Sequence, residues 1–516
     1  MPRPPYFMGI DGGTGSVRAV IFDKEGNNLG SHVAEYGTTY PKSGWAEQDP
    51  DEWWKALKEA IPGAIKAAGV DPKDIKAVTA DATTSTVVLL DKDKRPVRPA
   101  ILWMDVRSAD QAQRIYETKH PMIKYYMSGV PAESLIPKCL WIKENEPENW
   151  EKAEIVFEYT DWLHWKLSGN INSNISVASF RWFYDEPQGG WQKDFYETIG
   201  LGDIMDKFPL EVLHLGDVQG YVTAEAAREL GLAEGTIVGQ GPLDAVAAMI
   251  GVNVVEPGGM ALIGGSSTPL FGLSAKEIHA EGIAGAYPNC VLPGTSLVEG
   301  GQVSTGSIKT WFRKNFMPAE WEEEAKERGV SVYQVIDEKA AEIPIGSEGL
   351  ILLDYFQGNR TPYADSLARG VIWGLSLLHG PAHIARAINE GVAYGAEHCF
   401  RAMEKAGYKV ESISACGGIV QSPVWMQMHA DVSGLPIYTT KETQSAACLG
   451  DAIIAAVAAG EYSSIPEAAA NMVKMDKVYE PNMENHEKYK FFVDKYIETW
   501  PRIRDLVHDT VRHITE

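Results

Sequence analysis

Apolar and polar positions near the N-terminus predict a set of short strands. Residues 8–10 and 17–22 are mostly apolar, and the glycine-rich segment 11–16 separates them. A second polar segment, 23–27, follows and leads into another extended stretch. We therefore expect antiparallel strands joined by tight turns at this end of the chain.

A helical period replaces the strand pattern over residues 50–68. Four apolar side chains recur there every fourth position, as on one face of a helix: Trp53, Leu57, Ile61 and Ile65. Pro62 lies inside this stretch and is expected to kink or split the helix. Strand-like and helix-like stretches alternate in this way along the whole chain, which is typical of the α/β class.

The N-terminal arrangement recurs halfway along the chain. A polar turn precedes the apolar residues 260–263, the Gly/Ser segment 264–267 follows, and residues 269–271 are apolar again. Two such units, about 250 positions apart, suggest an internal duplication in which each copy begins a domain. The alternative is that Gly/Ser turns are common and the similarity is chance.

On the duplication hypothesis the domain boundary falls near residues 252–259. We predict an N-terminal domain over 1–254, a C-terminal domain over 255–480, and a helical tail over 481–516.

Composition and charge exclude several kinds of partner. The 516 residues include 70 acidic and 47 basic ones, a formal net charge of −23, which disfavours nucleic acid and anionic membrane surfaces. Five cysteines without CxxC spacing argue against disulfides and zinc and for a reducing compartment. No apolar stretch approaches the roughly 18 residues of a spanning helix, and no apolar signal core precedes the first strand. We expect a cytoplasmic protein that does not bind membranes.

The segment after the first strand is a candidate phosphate-binding turn. Glycines let backbone N–H groups approach an anion closely, and hydroxyls add donors. The donors of this turn are Gly13, Thr14, Gly15 and Ser16. Asp11 at the strand end is suited to hydrated Mg²⁺, and Arg18 adds positive charge. The alternative is a simple hairpin turn with a solvated aspartate.

Two further glycine segments are candidates for the same chemistry. Residues 264–268 form a second Gly/Ser turn, but the chain has no GxxxxGK[ST] loop, so bound ATP would have to lie between two such turns. Gly417 and Gly418 separate a predicted strand from a helix that begins after Ser422 and Pro423, where a flat adenosine or a phosphate can lie against the backbone. The alternative for this third segment is a tight strand–helix connection.

Asp244 is the candidate general base. It follows a Gly/Pro turn and is surrounded by small and apolar residues, a setting in which a carboxylate can accept a hydroxyl proton. The alternative is an ordinary helix cap, since aspartate is a favoured N-cap residue. The chain contains no HExxH, no GxSxG and no GxGxxG after a strand, so zinc peptidase, α/β-hydrolase and dinucleotide oxidoreductase activities have no support.

Taken together, these motifs resemble the FGGY carbohydrate kinases, of the superfamily that includes actin, hexokinase and the heat-shock chaperone ATPases. The resemblance extends from about residue 8 to about residue 469. It rests on Gly9–Thr14 as GIDGGT, residues 44–50 as GWAEQDP, residues 161–163 as DWL, Asp244, residues 370–375 as GVIWGL, and Gly417-Gly418. Asn389 departs from the pattern, which expects an apolar residue there. The resemblance implies two ribonuclease-H-like (actin-like ATPase) domains with a cleft between them.

Within the family the chain looks most similar to ribulokinases. Residues 81–86, DATTST, resemble their DxTxST sugar-site segment, whereas glycerol kinases carry Arg-Glu where Thr83 and Thr84 stand. Arg181 stands where ribulokinases that accept L-ribulose tend to have lysine. The resemblance implies these sugar-facing residues: Thr83, Thr84, Glu133, Arg181, Asp244 and Glu299.

The resemblance also implies the nucleotide site. Gly265 stands where many relatives have threonine, which leaves Ser266 or Ser267 to supply the hydroxyl. The implied ATP-binding residues are Gly13, Thr14, Gly15, Ser16, Arg18, Gly265, Ser266, Ser267, Gly306, Gly417, Gly418 and Gln421. Asp11 is the implied Mg²⁺ ligand, and Asp244 is the implied base.

The implied activity is transfer of the γ-phosphate of ATP to a terminal hydroxyl of a pentulose, with ribulose of either hand as first choice. Xylulose, ribitol, xylitol and erythritol stay open as alternatives, as does an inactive sugar-sensing homologue. A chaperone or filament protein of the superfamily is disfavoured because no spare domain follows residue 480. The expected partners are a small sugar and ATP, with a homodimer as a further expectation from the family.

Overall fold

The computed structural model describes residues 3–515. Its α-helices are α1 (Pro50–Ala68), α2 (Ala109–Glu117), α3 (Leu135–Asn145), α4 (Pro147–Lys152), α5 (Tyr159–Ser168), α6 (Ile175–Arg181), α7 (Lys193–Thr198), α8 (Ala224–Leu230), α9 (Asp244–Gly251), α10 (Gly306–Asn315), α11 (Ala319–Arg328), α12 (Val332–Ala341), α13 (Pro381–Lys405), α14 (Pro423–Ser433), α15 (Ala446–Ala458), α16 (Ile465–Met472) and α17 (Met483–Thr515).

The strands alternate with these helices along the chain. They are β1 (Tyr6–Gly12), β2 (Ser16–Asp23), β3 (Asn28–Glu35), β4 (Glu47–Gln48), β5 (Ile75–Ala82), β6 (Val87–Leu90), β7 (Ala100–Ile101), β8 (Ile155–Glu158), β9 (Ser173–Asn174), β10 (Tyr184–Asp185), β11 (Gly190–Trp191), β12 (Val212–Leu213), β13 (Val218–Tyr221), β14 (Ile237–Gly239), β15 (Gly259–Gly264), β16 (Thr268–Ser274), β17 (Ala284–Pro288), β18 (Ser296–Gln302), β19 (Ile351–Leu353), β20 (Val371–Trp373), β21 (Ser412–Gly417), β22 (Ile437–Thr440) and β23 (Met475–Tyr479).

Two large mixed sheets form the centres of the two halves. The first has the order β13-β14-β5-β1-β2-β3, and the second has the order β17-β18-β16-β15-β21-β22-β23. In the first sheet β1 is antiparallel to β2 and parallel to β5. In the second sheet β15 is antiparallel to β16 and parallel to β21. Each glycine turn thus connects equivalent strands, as the predicted internal duplication requires.

The predicted helix over residues 50–68 forms with the expected bounds. Asp49 caps it by accepting a hydrogen bond from the Asp51 N–H, and Gly69 ends it in the left-handed conformation. Pro62 lies inside the helix without ending it. Trp53 and Ile61 are fully buried on the face toward the sheet, and this packing holds the helix together despite the missing N–H.

Helices α9 and α15 cross with their backbones in contact where the two halves meet. A Cβ added to Gly450 would lie 1.9 Å from the Ala247 carbonyl oxygen, and one added to Gly251 would lie 1.8 Å from that of Ala446. Only glycine permits this approach, because any side chain would overlap backbone. Asp244 is the first residue of α9, so the crossing places it at the junction.

The predicted helical tail is α17, which packs against the C-terminal half. Tyr489, Val493, Tyr496 and Trp500 on one of its faces are buried in the core of that half. No helix within residues 3–515 combines the length and apolar character needed to cross a membrane.

Candidate active site

Asp244 occupies the start of a helix and has a perturbed carboxyl group. The N-cap position belongs to Leu243, so Asp244 is the first helical residue and not the cap that the alternative interpretation expected. Its Oδ1 accepts a hydrogen bond of 2.7 Å from the Ala245 N–H. Burial, and then the charge on Asp11, raise the pKa of Asp244 to about 7. A carboxylate with that pKa can both accept and release a proton near neutral pH.

Other carboxyl groups lie beside Asp244. Asp11 and Asp81 are neighbours on the parallel strands β1 and β5. Burial raises the pKa of Asp11, and burial together with Asp451 raises the pKa of Asp81. Asp451 comes from α15, which carries it across the junction, and the sequence analysis did not identify it. The raised pKa values of these neighbouring acids mean that the group retains protons and does not carry its full negative charge at neutral pH.

The first glycine turn is held in one conformation by its neighbours. The Gly13 N–H donates to the Ser16 carbonyl over 3.0 Å and closes the turn, while Gly15 at its tip is exposed. The indole N–H of Trp103 donates to the Thr14 Oγ1 over 3.0 Å, and the Gln48 amide donates to the Thr14 carbonyl over 2.6 Å. These contacts orient the turn before any ligand binds.

Glu158 organises the segment predicted to face the sugar. Its carboxylate accepts hydrogen bonds from the Thr84 hydroxyl over 3.2 Å and from the Ser85 N–H over 2.7 Å. The Trp182 indole donates to its other oxygen over 2.7 Å. Burial raises the pKa of Glu158 to about 8. Sequence reasoning missed this residue because Glu158 is separated from Thr84 by more than seventy positions.

Of the remaining predicted sugar-facing residues, Thr83 contacts Thr86, and Glu133 acts on the buried Lys138. The Thr83 hydroxyl lies 3.0 Å from that of Thr86. The Lys138 ammonium donates to the Ser85 carbonyl over 3.0 Å, and burial lowers its pKa to about 7. Glu133 is partly exposed just before α3, and its negative charge raises the pKa of Lys138, whereas burial lowers it.

Arg181 and Glu299 are brought together, and they pair with each other. Arg181 on α6 donates to both carboxylate oxygens of Glu299 on β18, over 2.9 and 3.0 Å. It also donates to the Tyr287 hydroxyl over 2.8 Å. The pair therefore connects the two halves of the chain at the position where both side chains were expected to face a sugar.

The second glycine turn packs against the start of α10. The Gly306 N–H donates to the Gly265 carbonyl over 3.1 Å, and the Ser307 N–H donates to the Ser266 carbonyl over 3.2 Å. A Cβ on Gly306 would lie 2.4 Å from the Gly265 oxygen, so glycine is needed at this contact. Gly265 and Ser266 are exposed, and Ser267 is partly exposed.

The third glycine segment lies against the second. Gly417 has φ 82°, and a Cβ there would lie 2.4 Å from the Gly264 carbonyl oxygen. Gly418 and Gln421 are exposed in the short 3-10 helix Gly418–Gln421, which leads into α14 as the sequence predicted.

Gln444 connects the first and third glycine segments. Its carbonyl accepts a hydrogen bond from the Arg18 guanidinium, and its side-chain amide donates to the Gly417 carbonyl over 3.2 Å. The predicted nucleotide-binding residues from both halves are therefore linked, although no sequence motif identified Gln444.

A buried carboxylate where the two halves meet, with a glycine turn in each half, suits phosphoryl transfer, since that reaction depends on positioning and charge stabilisation. The fold and site define a two-domain kinase with the actin-like ATPase fold.

Comparison with known proteins identifies the family. The model of the FGGY carbohydrate kinase N-terminal domain matches residues 6–251, and that of the C-terminal domain matches residues 260–459. The chain belongs to the FGGY family of carbohydrate kinases and is an ATP-dependent sugar kinase. The resemblance found in the sequence is confirmed.

Individual relatives cover nearly the whole chain. The chain is 34% identical to an FGGY carbohydrate kinase domain-containing protein of Xenopus laevis, over 95% of each. It is 32% identical to a ribulokinase of Anoxybacillus flavithermus, over 95% of this chain and 93% of the relative. The crystal structure of xylulose kinase from Rhodospirillum rubrum has 25% identity and a TM-score of 0.84, covering 98% of this chain and all of the other.

Proposed function

We infer that this kinase phosphorylates a terminal hydroxyl of a pentulose, with ribulose of either hand as the first candidate. Asp244 carries the inference, because its pKa of about 7 and its place at the domain junction suit a general base. The Thr83-Thr84 pair supports a ribulokinase-like sugar site, as does similarity to proteins named ribulokinase.

The reaction follows from these residues. Asp244 takes the proton from the sugar hydroxyl as that oxygen attacks the γ-phosphorus of ATP. The bond between the γ-phosphorus and the oxygen that bridges it to the β-phosphate breaks. ADP leaves, and this oxygen stays on its β-phosphate with the negative charge. Backbone amides of the first and second glycine turns hold the phosphates, and Gly417, Gly418 and Gln421 hold the adenosine. Closure of the domains would exclude water and limit ATP hydrolysis.

Asp11 is the residue that fits Mg²⁺. Within residues 3–515 no group of three or more His, Cys, Asp or Glu side chains could hold a metal ion. Mg²⁺ is usually held by one or two carboxylates together with substrate phosphates, so Asp11, partly exposed at the end of a strand beside the first glycine turn, suits an ion that arrives with the nucleotide. When bound, Mg²⁺ supplies neutralisation of phosphate charge.

Xylulose is the second candidate. Arg181 departs from the lysine of ribulokinases that accept L-ribulose, and the structure pairs it with Glu299. Similarity to proteins named xylulose kinase supports this sugar, since the 29% identity to one of them is close to the 32% identity to a ribulokinase.

The test is an ADP-release screen with the purified chain. The acceptors are D- and L-ribulose, D- and L-xylulose, ribitol, xylitol, erythritol and glycerol, with D244N as the control for background hydrolysis. A preference for one pentulose supports the proposal. A preference for glycerol would contradict the sugar assignment, and absence of ADP release with every acceptor would favour the inactive sugar-sensing homologue.

A further inference from the structure

A buried ion pair begins in the first turn of α10, the helix whose start packs against the second glycine turn. The Lys309 ammonium on α10 contacts the Asp337 carboxylate on α12, and their side chains are only 6% and 5% exposed. Burying two charges costs free energy that a well-packed apolar pair would not. None of the roles proposed above for the sugar, the phosphates or the base uses either residue.

Two more residues complete this cluster. The Asn389 amide on α13 donates to the same Asp337 oxygen over 2.9 Å. The Lys309 ammonium lies 4.4 Å from the centre of the Trp425 ring, a cation–π contact, and the Trp425 indole donates to the Asn389 carbonyl over 3.0 Å. The Lys309 cluster, defined as Lys309, Asp337, Asn389 and Trp425, thus connects α10, α12, α13 and α14.

The two ends of this cluster reach the nucleotide-binding segments. Lys309 is three residues after Gly306, whose N–H donates to the Gly265 carbonyl of the second turn. Trp425 is four residues after Gln421, which ends the segment Gly418–Gln421. The Trp425 N–H donates to the Ser422 hydroxyl, which caps α14. A nucleoside that extends from the second turn toward Gly418 would lie between these two helix starts.

The position of α10 also determines the orientation of the backbone N–H groups in the second glycine turn. The carbonyls of Gly265 and Ser266 accept hydrogen bonds from α10. In a trans peptide the N–H points opposite to the carbonyl, so the Ser266 and Ser267 amides point away from α10. This is the orientation that donation to a phosphate on the far side of the turn requires. A shift of α10 would turn these amides.

We propose that the Lys309–Asp337 pair is a positioning element for nucleotide, holding α10 so that the second glycine turn presents its amides to the phosphates. It rests on the nucleotide site proposed above. The pair acts on the affinity for nucleotide and not on the transfer step, because neither side chain reaches the exposed surface of the turn.

The test is calorimetric titration of the full chain with ADP, which needs no sugar. The variants are K309M and D337N, and the matched control is R386M. Arg386 forms a buried ion pair with Glu390 in the same domain, over 2.7 Å, and it also donates to the Tyr489 hydroxyl of α17, so it contacts neither α10 nor α12 through these bonds. All variants should lose thermal stability through a buried charge left alone.

We expect K309M and D337N to raise the Kd for ADP about tenfold or more, as displacement of binding groups does. The KM for ATP should rise in parallel, while kcat and the KM for sugar stay within about threefold of the wild type. R386M should bind ADP within about twofold of the wild type. If a single variant does not fold, K309M/D337L leaves no buried lone charge and carries the same test.

Near-wild-type ADP affinity in K309M and D337N would overturn the proposal, and so would an equal loss in R386M. If the wild type itself does not bind ADP, the nucleotide site of the proposed function is wrong, and the positioning role fails with it.

Discussion

Arg181 in the N-terminal half and Glu299 in the C-terminal half form a two-point ion pair, with nitrogen–oxygen distances of 2.9 and 3.0 Å. Both side chains are almost entirely buried, at 11% and 4% exposed. Such a pair joins the two halves at the predicted sugar site.

Removing one partner of this pair should destabilise the protein strongly. E299Q leaves the Arg181 charge without its carboxylate, and we expect the free energy of unfolding to fall by about 3 kcal/mol. Denaturant unfolding measures this change. E498Q, which removes an exposed partner of Arg502, should cost under about 1 kcal/mol. Equal losses of unfolding free energy in E299Q and E498Q would show that the buried Arg181–Glu299 pair stabilises the protein no more than an exposed pair.

Asp244→Asn should remove turnover while preserving the fold. Loss of a general base should lower kcat by a factor on the order of 10² or more, with the melting temperature and sugar affinity close to wild type. Turnover with the preferred sugar measures this, and D206N, at an exposed aspartate, is the control. Wild-type turnover in D244N would exclude Asp244 as the base.

The pH dependence of kcat/KM should reflect Asp244. Its pKa is raised to about 7, so below that pH the carboxyl is protonated and cannot accept the hydroxyl proton. We expect kcat/KM to fall as the pH drops below about 7 and to level off above it. If kcat/KM instead falls only near the ordinary aspartate pKa, then burial and Asp11 do not raise the pKa of Asp244.

Glu158→Gln should loosen the Thr84–Ser85 segment. Above about pH 8, where Glu158 is ionised, the new amide cannot accept from both the Ser85 N–H and the Trp182 indole in the way the carboxylate does, so one buried donor loses its partner. We expect a loss of about 1–3 kcal/mol in unfolding free energy, together with a higher KM for sugar. E154Q, at an exposed position nearby, is the matched control. An unchanged KM would show that Glu158 only supports the fold.

Gly450→Ala should disrupt the crossing of α9 and α15. Its Cβ would overlap the Ala247 carbonyl, three residues after Asp244, so the helices must separate. We expect a lower melting temperature and reduced kcat together, because α9 carries the base. Gly37→Ala, where no atom lies within 4 Å of the added Cβ, should leave both unchanged. A stable, fully active G450A would contradict the close packing at the junction.

Local structure could be predicted from the sequence because it depends on neighbouring residues. The strands around the first glycine turn, helix α1 and the Ser422-Pro423 start of α14 all form where the pattern placed them. Glycine, proline and capping residues constrain the backbone directly, and apolar spacing determines which face is buried. Pro62 does not split α1 into two helices, since packing of α1 on the sheet outweighs the local cost.

The sequence by itself thus determined the α/β elements, the repeated glycine turns and the family resemblance. Only the tertiary structure decided that Arg181 pairs with Glu299, that Glu158 holds Thr84, and that Gln444 joins the two halves. Contacts of this kind join residues far apart in the chain. They arise from packing of whole elements, which no short pattern encodes.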